Sequence, residues 1–289
     1  MAVLFRLLSF LPLSWLHGLG ALMGRMAWAL SPTYRRHLQQ NLSFAGLNDV
    51  SLRRAAVAHA GRTLLELPKL WLRPQAEIVA RVVRVSGWEL MEAAWRDGRG
   101  VLLLTPHLGC FEITAQYCAA HQPITVLYRR PKQARLVPLF ERGRGANLKL
   151  APADISGVRA LMRALRKGET VGMLPDQVPG SGEGVWAPFF GRPAYTMTLA
   201  ARLAEHGATV LLIYAERLPH GAGYHLRVLE PPHALEGTLE QRVGHINAAI
   251  ESMIRQCPEQ YLWGYNRYKV PAGADAPPEP EPEPVRSEE

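Results

Sequence analysis

The segment VLLLTPHLGCFEITAQY, residues 101–117, carries a histidine and a glutamate five residues apart, His107 and Glu112. An imidazole held at one nitrogen by a carboxylate presents its other nitrogen as a general base toward a hydroxyl. Inside one α-helix, residues at that spacing point about 140° apart. The pair can meet only if His107 lies in a loop and Glu112 in the first turns of the helix behind it. The order of residues allows this: the apolar run Val101–Thr105 reads as a buried strand, Pro106 stops it, and Gly109 precedes a helical pattern. His107 then falls beyond the carboxyl end of a strand, where open α/β sheets place their ligands. It also lies near a helix N-terminus, whose free N–H groups favour developing negative charge. Cys110 offers a different chemistry, a thiol nucleophile partnered by His107, although a cysteine opening an apolar helix more often serves packing.

Other segments place polar groups in particular settings. Met173-Leu174-Pro175-Asp176-Gln177 follows another strand, on the same sheet edge as His107. Pro188-Phe189-Phe190-Gly191-Arg192-Pro193 sets an arginine beside an aromatic wall, and Trp263-Gly264-Tyr265-Asn266-Arg267-Tyr268-Lys269 alternates aromatic and basic groups. Each also has an ordinary structural reading: a strand-end turn, core aromatics, a snorkelling membrane edge. The stretch Gly180–Gly184 reads as a loop over the site. GxSxG, GxxxxGK[ST], a complete GxGxxG and HExxH are all absent, and the ten histidines have no metal-ligand spacing. Three cysteines, an odd number without CxxC, point to a reduced, cytoplasm-facing protein.

These residues need elements to hold them. A chain of 289 residues that is 48% hydrophobic is long enough for one α/β core. Strand-like runs at Val101–Thr105, Ile124–Tyr128, Thr170–Leu174 and Ala208–Tyr214 alternate with helical patterns at Cys110–Ala120, Ser156–Lys167 and Tyr195–His206. Tyr224–Glu230 reads as a hairpin partner across Pro219–Gly223. Ser51–Leu72 has helical spacing, with Ser51 as cap and Pro68 as a kink or late break. The expectation is an α/β fold with a mostly parallel central sheet flanked by helices and an N-terminal helical, membrane-associating subdomain.

Leu7–Gly24 is an eighteen-residue stretch without formal charge, readable as an interfacial anchor, a single span or a soluble core helix. All three keep the rest of the chain in the cytoplasm. Residues 271–289 are rich in Pro and Glu and read as a disordered, solvated tail. The expected organisation is therefore an anchor or interfacial helix over 1–30, one catalytic domain over 31–270, and the tail.

The formal charge of +8 hides an asymmetry: the last 19 residues carry −5, which leaves +13 on residues 1–270. Between Arg129 and Lys167 the net charge is +9. Such charge suits an anionic partner. It would give salt-sensitive affinity for nucleic acid, but no recognition motif accompanies it and the HLGCFE segment would go unexplained, so nucleic acid is not expected.

Taken together, these motifs resemble the bacterial lipid A biosynthesis acyltransferases, the late lauroyl/myristoyl transferase family of the lysophospholipid acyltransferase-like superfamily. The resemblance covers roughly residues 1–270. It rests on TPHLGCFE for the family's HX4E motif, YRRPK (128–132), ERGRG (141–145), LPDQ (174–177), PFFGRPA (188–194) and QYLWGYNRYK (260–269). The closing motif departs from the family's frequent His-Arg-Arg at Tyr265-Asn266-Arg267, so no role carries over to Asn266.

The resemblance implies transfer of a fatty acyl chain from acyl carrier protein to a hydroxyl of a Kdo-lipid IVA type precursor, at the cytoplasmic face of the inner membrane, without cofactor or metal. It implies His107 as base and Glu112 as its orienting partner. Arg129, Arg130, Arg142 and Arg144 are expected at phosphates, with Asp176, Gln177, Arg192, Arg267 and Lys269 also binding substrate. Implied partners are acyl carrier protein, an anionic glycolipid acceptor and the membrane surface. A rival of the same class would acylate a glycerolipid or a mannosylated inositol lipid.

Overall fold

The computed structural model describes residues 2–128 and 147–278. The strands within them are β1 (Val82–Ser86), β2 (Val101–Leu104), β3 (Ile124–Tyr128), β4 (Leu148–Pro152), β5 (Thr170–Met173), β6 (Gly184–Phe189), β7 (Arg192–Met197), β8 (Thr209–Arg217) and β9 (Tyr224–Leu229). A seven-stranded sheet runs in the order β1-β9-β8-β2-β5-β3-β4, and β6 and β7 form a separate hairpin. From β8 to β4 the strands are parallel; β9 returns antiparallel to β8, and β1 lies parallel to β9. This is the expected α/β class.

Side chains alternate between two cores. Leu102, Leu104, Val171, Met173 and Leu212 face helices α8 (Ile155–Arg166), α9 (Leu199–Ala204) and α10 (Leu239–Gln256). Val101, Leu103, Ile124, Leu211 and Ile213 face α6 (Trp88–Asp97) and α7 (Phe111–Ala119). That is the period-two pattern of a sheet covered on both sides.

The N-terminal helices are α1 (Ala2–Phe10), α2 (Leu13–Leu30), α3 (Pro32–Phe44), α4 (Val50–Leu72) and α5 (Gln75–Val79). Helix α4 is capped by Asp49, which accepts from the Leu52 N–H at 2.7 Å, rather than by Ser51, and it continues through Pro68. Helices α2 and α4 meet backbone to backbone. A Cβ on Gly61 would lie 1.9 Å from the Gly20 carbonyl oxygen, and one on Gly24 would lie 2.1 Å from that of Val57. Gly20 and Gly24 of the uncharged segment thus serve helix packing. On the outer side Val3, Leu4, Leu7, Phe10, Trp15, Leu19, Leu22, Met26 and Leu30 are exposed. No described helix is long and apolar enough to cross a membrane.

Two readings of local pattern give way to strand pairing. Tyr195–Met197, expected at the start of a helix, belongs to β7 and pairs with Gly184–Trp186. The tip of this hairpin is Phe190-Gly191, both left-handed (φ 47° and 70°), as tight two-residue hairpins favour. The short strands β1 and β4 sit at the sheet edges and carry little alternation to announce them. Of the tail, residues 271–278 are described; the carbonyl of Asp275 accepts from the Trp186 indole N–H at 3.2 Å.

Candidate active site

Strands β2 and β5 are parallel neighbours with Leu104 opposite Met173. Each continues through one residue and a proline, Thr105-Pro106 and Leu174-Pro175, and three residues beyond the paired positions stand His107 and Asp176. Equal offsets from one register bring the two together. The chain after β2 crosses to the α7 face and the chain after β5 reaches α9 on the other, so the crevice between them is a switch point of the sheet.

Asp176 grips His107 twice. Its Oδ1 accepts from ring Nδ1 at 2.8 Å and its Oδ2 from the His107 backbone N–H at 2.8 Å. The Asp176 side chain is 2% exposed and that of His107 17%. Burial by itself would raise the Asp176 pKa, but the charge of His107, its hydrogen bonds and Arg267 together hold the carboxyl below the usual aspartate range. An ionised carboxylate at Nδ1 selects the tautomer protonated there, which leaves the lone pair on Nε2. The Gln177 amide nitrogen lies 3.1 Å from that atom and donates to it.

The loop bearing His107 is fixed on its other sides. Gly109 is left-handed (φ 58°), and a Cβ there would lie 2.1 Å from the Ala215 carbonyl oxygen, so only glycine fits. Its N–H donates to Gln260 O at 3.1 Å, Leu262 N–H donates to His107 O at 3.0 Å, and Cys110 N–H donates to Ala215 O at 2.7 Å. The Tyr265 hydroxyl accepts from the Val178 N–H at 2.9 Å, just past Gln177. The closing segment 260–269 is therefore a frame for the loops that carry His107 and Asp176.

His107 and Gln177 line a cavity of about 1060 Å³. Its walls are mainly apolar, built by Leu103, Ile124 and Val126 of the sheet with Trp71 of α4 and Phe111 and Ala115 of α7. Gly172 lies in the sheet beneath it, and the exposed Arg159 and Arg202 border it.

The expected site residues fall into distinct places. The carboxylate on the His107 ring is Asp176 and not Glu112, because the β2–β5 register delivers Asp176 to Nδ1. Glu112, in the first turn of α7, lines the cavity and accepts from the Trp71 indole N–H at 3.1 Å. Arg267 is 2% exposed and donates to Tyr195 O, Thr196 Oγ1 and Asn247 Oδ1, an occupation that suits a scaffold and not a ligand contact. Arg192 stacks over Phe44 at 4.1 Å, and Lys269 lies 5.5 Å from the Tyr265 ring. Neither lines the cavity. Arg129, Arg130, Arg142 and Arg144 lie outside the described residues. Arg159 and Arg202 were not foreseen. Cys110 is buried, and burial pushes its thiol well above the ordinary range, which keeps it protonated and unsuited to nucleophilic attack.

The site thus combines a doubly held histidine at the switch point of an α/β sheet with a mainly apolar cavity beside it. The chain matches the bacterial lipid A biosynthesis acyltransferase family over residues 1–270 and belongs to it. It is 27% identical over 268 residues to the lipid A biosynthesis lauroyltransferase of Escherichia coli K12, covering 90% of this chain and 87% of that one. It is 29% identical over 214 residues to the lipid A biosynthesis palmitoleoyltransferase of the same organism, covering 73% and 69%. A lipid A biosynthesis acyltransferase of Shigella flexneri matches to the same extent. The protein is an acyltransferase of lipid A synthesis.

Proposed function

We propose that the chain transfers a fatty acyl group from acyl carrier protein to a hydroxyl of a Kdo-bearing lipid A precursor, at the cytoplasmic face of the inner membrane. The observation that carries the reading is the Asp176-held His107 beside an apolar cavity able to take an acyl chain. The acceptor hydroxyl takes the place of the Gln177 amide at Nε2, which removes its proton as the oxygen attacks the thioester carbon. The new C–O bond forms, the tetrahedral adduct collapses with loss of the C–S bond, and the imidazolium returns the proton to the departing thiolate. Asp176, ionised throughout, stabilises the imidazolium and keeps its orientation. Glu112, bonded to Trp71, shapes the cavity wall. Arg159 and Arg202, with Arg129, Arg130, Arg142 and Arg144, supply cations for phosphates of the donor arm or acceptor. The exposed apolar stripe of α1 and α2 supports seating on the membrane surface.

The test is purified protein with acyl carrier protein thioesters from C10 to C16 and the tetra-acyl Kdo-bearing precursor, read by mass spectrometry. One added acyl chain on the precursor is expected. Acylation of a glycerolipid or a mannosylated inositol lipid in its place would overturn the assignment of acceptor.

A further inference from the structure

The proton transfer leaves one buried ion pair unused, and that pair ends on the loop of His107. Glu66 of α4 and Arg217 at the end of β8 are each 1% exposed at the side chain. Arg217 Nε donates to both Glu66 oxygens at 3.0 Å, and Nη2 donates to Glu66 Oε1 at 2.6 Å. The same Nη2 donates to Thr63 Oγ1 at 2.8 Å and to the backbone carbonyl of Gly109 at 2.6 Å. Glu66 Oε2 in turn accepts from Tyr224 OH at 3.0 Å and lies 3.3 Å from His17 Nε2 of α2. Arg217 is itself held at its backbone by the Gln260 side chain: its N–H donates to Gln260 Oε1 at 2.8 Å, and Gln260 Nε2 donates to its carbonyl at 3.1 Å.

A buried pair of this kind is a poor device for stability, since apolar residues of similar size often serve as well or better. What such residues cannot do is aim a charge-assisted donor at one chosen carbonyl. Gly109 is two residues past His107, and its neighbouring polar groups, Gly109 N–H and His107 O, are already taken by the closing segment. The Arg217 fork completes the hold on this loop from the β8 side.

We propose that Arg217, held by Glu66, is a positioning residue that aims His107 through the Gly109 carbonyl. The proposal rests on the reading of His107 as the base. A loop released at Gly109 displaces Nε2 from the attacking hydroxyl, and misplacement of about 1 Å can cost about 10²-fold in rate. The effect falls on kcat, because neither Glu66 nor Arg217 lines the cavity proposed to take the acyl chain.

Two variants of the full chain test this beside His107→Ala. Arg217→Lys keeps the charge opposite Glu66 but loses the fork. The double variant Glu66→Leu/Arg217→Met removes both charges and leaves neither unpaired. With acyl carrier protein thioester and lipid acceptor, each is expected to fold by circular dichroism, to lose about tenfold or more in kcat, and to keep donor KM within about twofold. Folded variants with wild-type kcat would overturn the proposal while an inactive His107→Ala preserved the base. A change confined to KM, or failure of both variants to fold, would also overturn it, because the pair would then be binding substrate or holding the domain. A fully active His107→Ala would sink the underlying reading as well.

Discussion

At His107, one carboxylate holds both the ring and the main chain, so the identity of that carboxylate decides the tautomer. In Asp176→Asn the amide can present an N–H to Nδ1, which drives the proton to Nε2 and removes the base. We expect kcat to fall by about 10²–10⁴-fold with the fold intact, measured by steady-state transfer. Cys110→Ala should retain most activity, and wild-type protein incubated with radiolabelled thioester and no acceptor should carry no label on a denaturing gel. Label that vanishes in Cys110→Ala would replace direct attack by a covalent route. His107 was legible in the sequence because strand, proline, histidine and glycine follow one another locally. Its partner was less so. His107 and Glu112 advertise themselves by nearness in sequence, whereas Asp176 reaches Nδ1 through a pairing of strands 69 residues apart. A signal did exist: Thr-Pro-His and Leu-Pro-Asp stand at the same offset behind two adjacent buried runs.

Among the elements, α2 and α4 carry two different loads. The outer stripe Trp15, Leu19, Leu22, Met26 and Leu30 recurs at helical spacing and was visible as an apolar run; its glycine-packed inner face was not, since the Gly20–Gly61 approach is tertiary. Trp15→Ser/Leu19→Ser/Leu22→Ser should lower partition onto anionic vesicles by about tenfold or more, as each exposed apolar side chain is worth up to about 1.5–3 kcal/mol on burial. Unchanged flotation with vesicles would refute membrane seating by this face. Such surface changes are a cleaner test than deleting residues 1–24, which would also take His17 from Glu66. Glu66 gives a pH signature. Burial would raise its pKa, but Arg217 and His17 hold it at about 2, below the usual 4.5. A depressed carboxyl contributes stability that is present above the unfolded value and lost as pH falls through the folded one. Glu66→Gln should therefore be less stable by about 3–5 kcal/mol at pH 7, with the gap to wild type closing between pH 4.5 and about 2 in urea unfolding. A gap that stays constant with pH would contradict this. The start of the expected helix at Tyr195–Met197 and the strands β1 and β4 share one cause: each is decided by its strand partner and not by its own periodicity.

For the whole molecule, the architecture was largely legible because buried apolar runs alternating with helical patterns leave few arrangements other than a covered parallel sheet. The cavity was not, because its walls come from α4, α7, α8, α9 and six strands and no local pattern announces a space between them. The +13 body and the acidic tail were read from composition. Together, His107 at the sheet edge, the apolar cavity beside it and the apolar stripe of α1 and α2 fit the proposed transfer of a carrier-borne acyl chain to a lipid hydroxyl. The most direct test of that account is the initial rate of transfer from acyl carrier protein thioester to the Kdo-bearing precursor by folded His107→Ala, followed by mass spectrometry beside wild type. Loss of about 10²–10⁴-fold is expected from removal of a general base. A folded His107→Ala protein that acylates the precursor at the wild-type rate would contradict it.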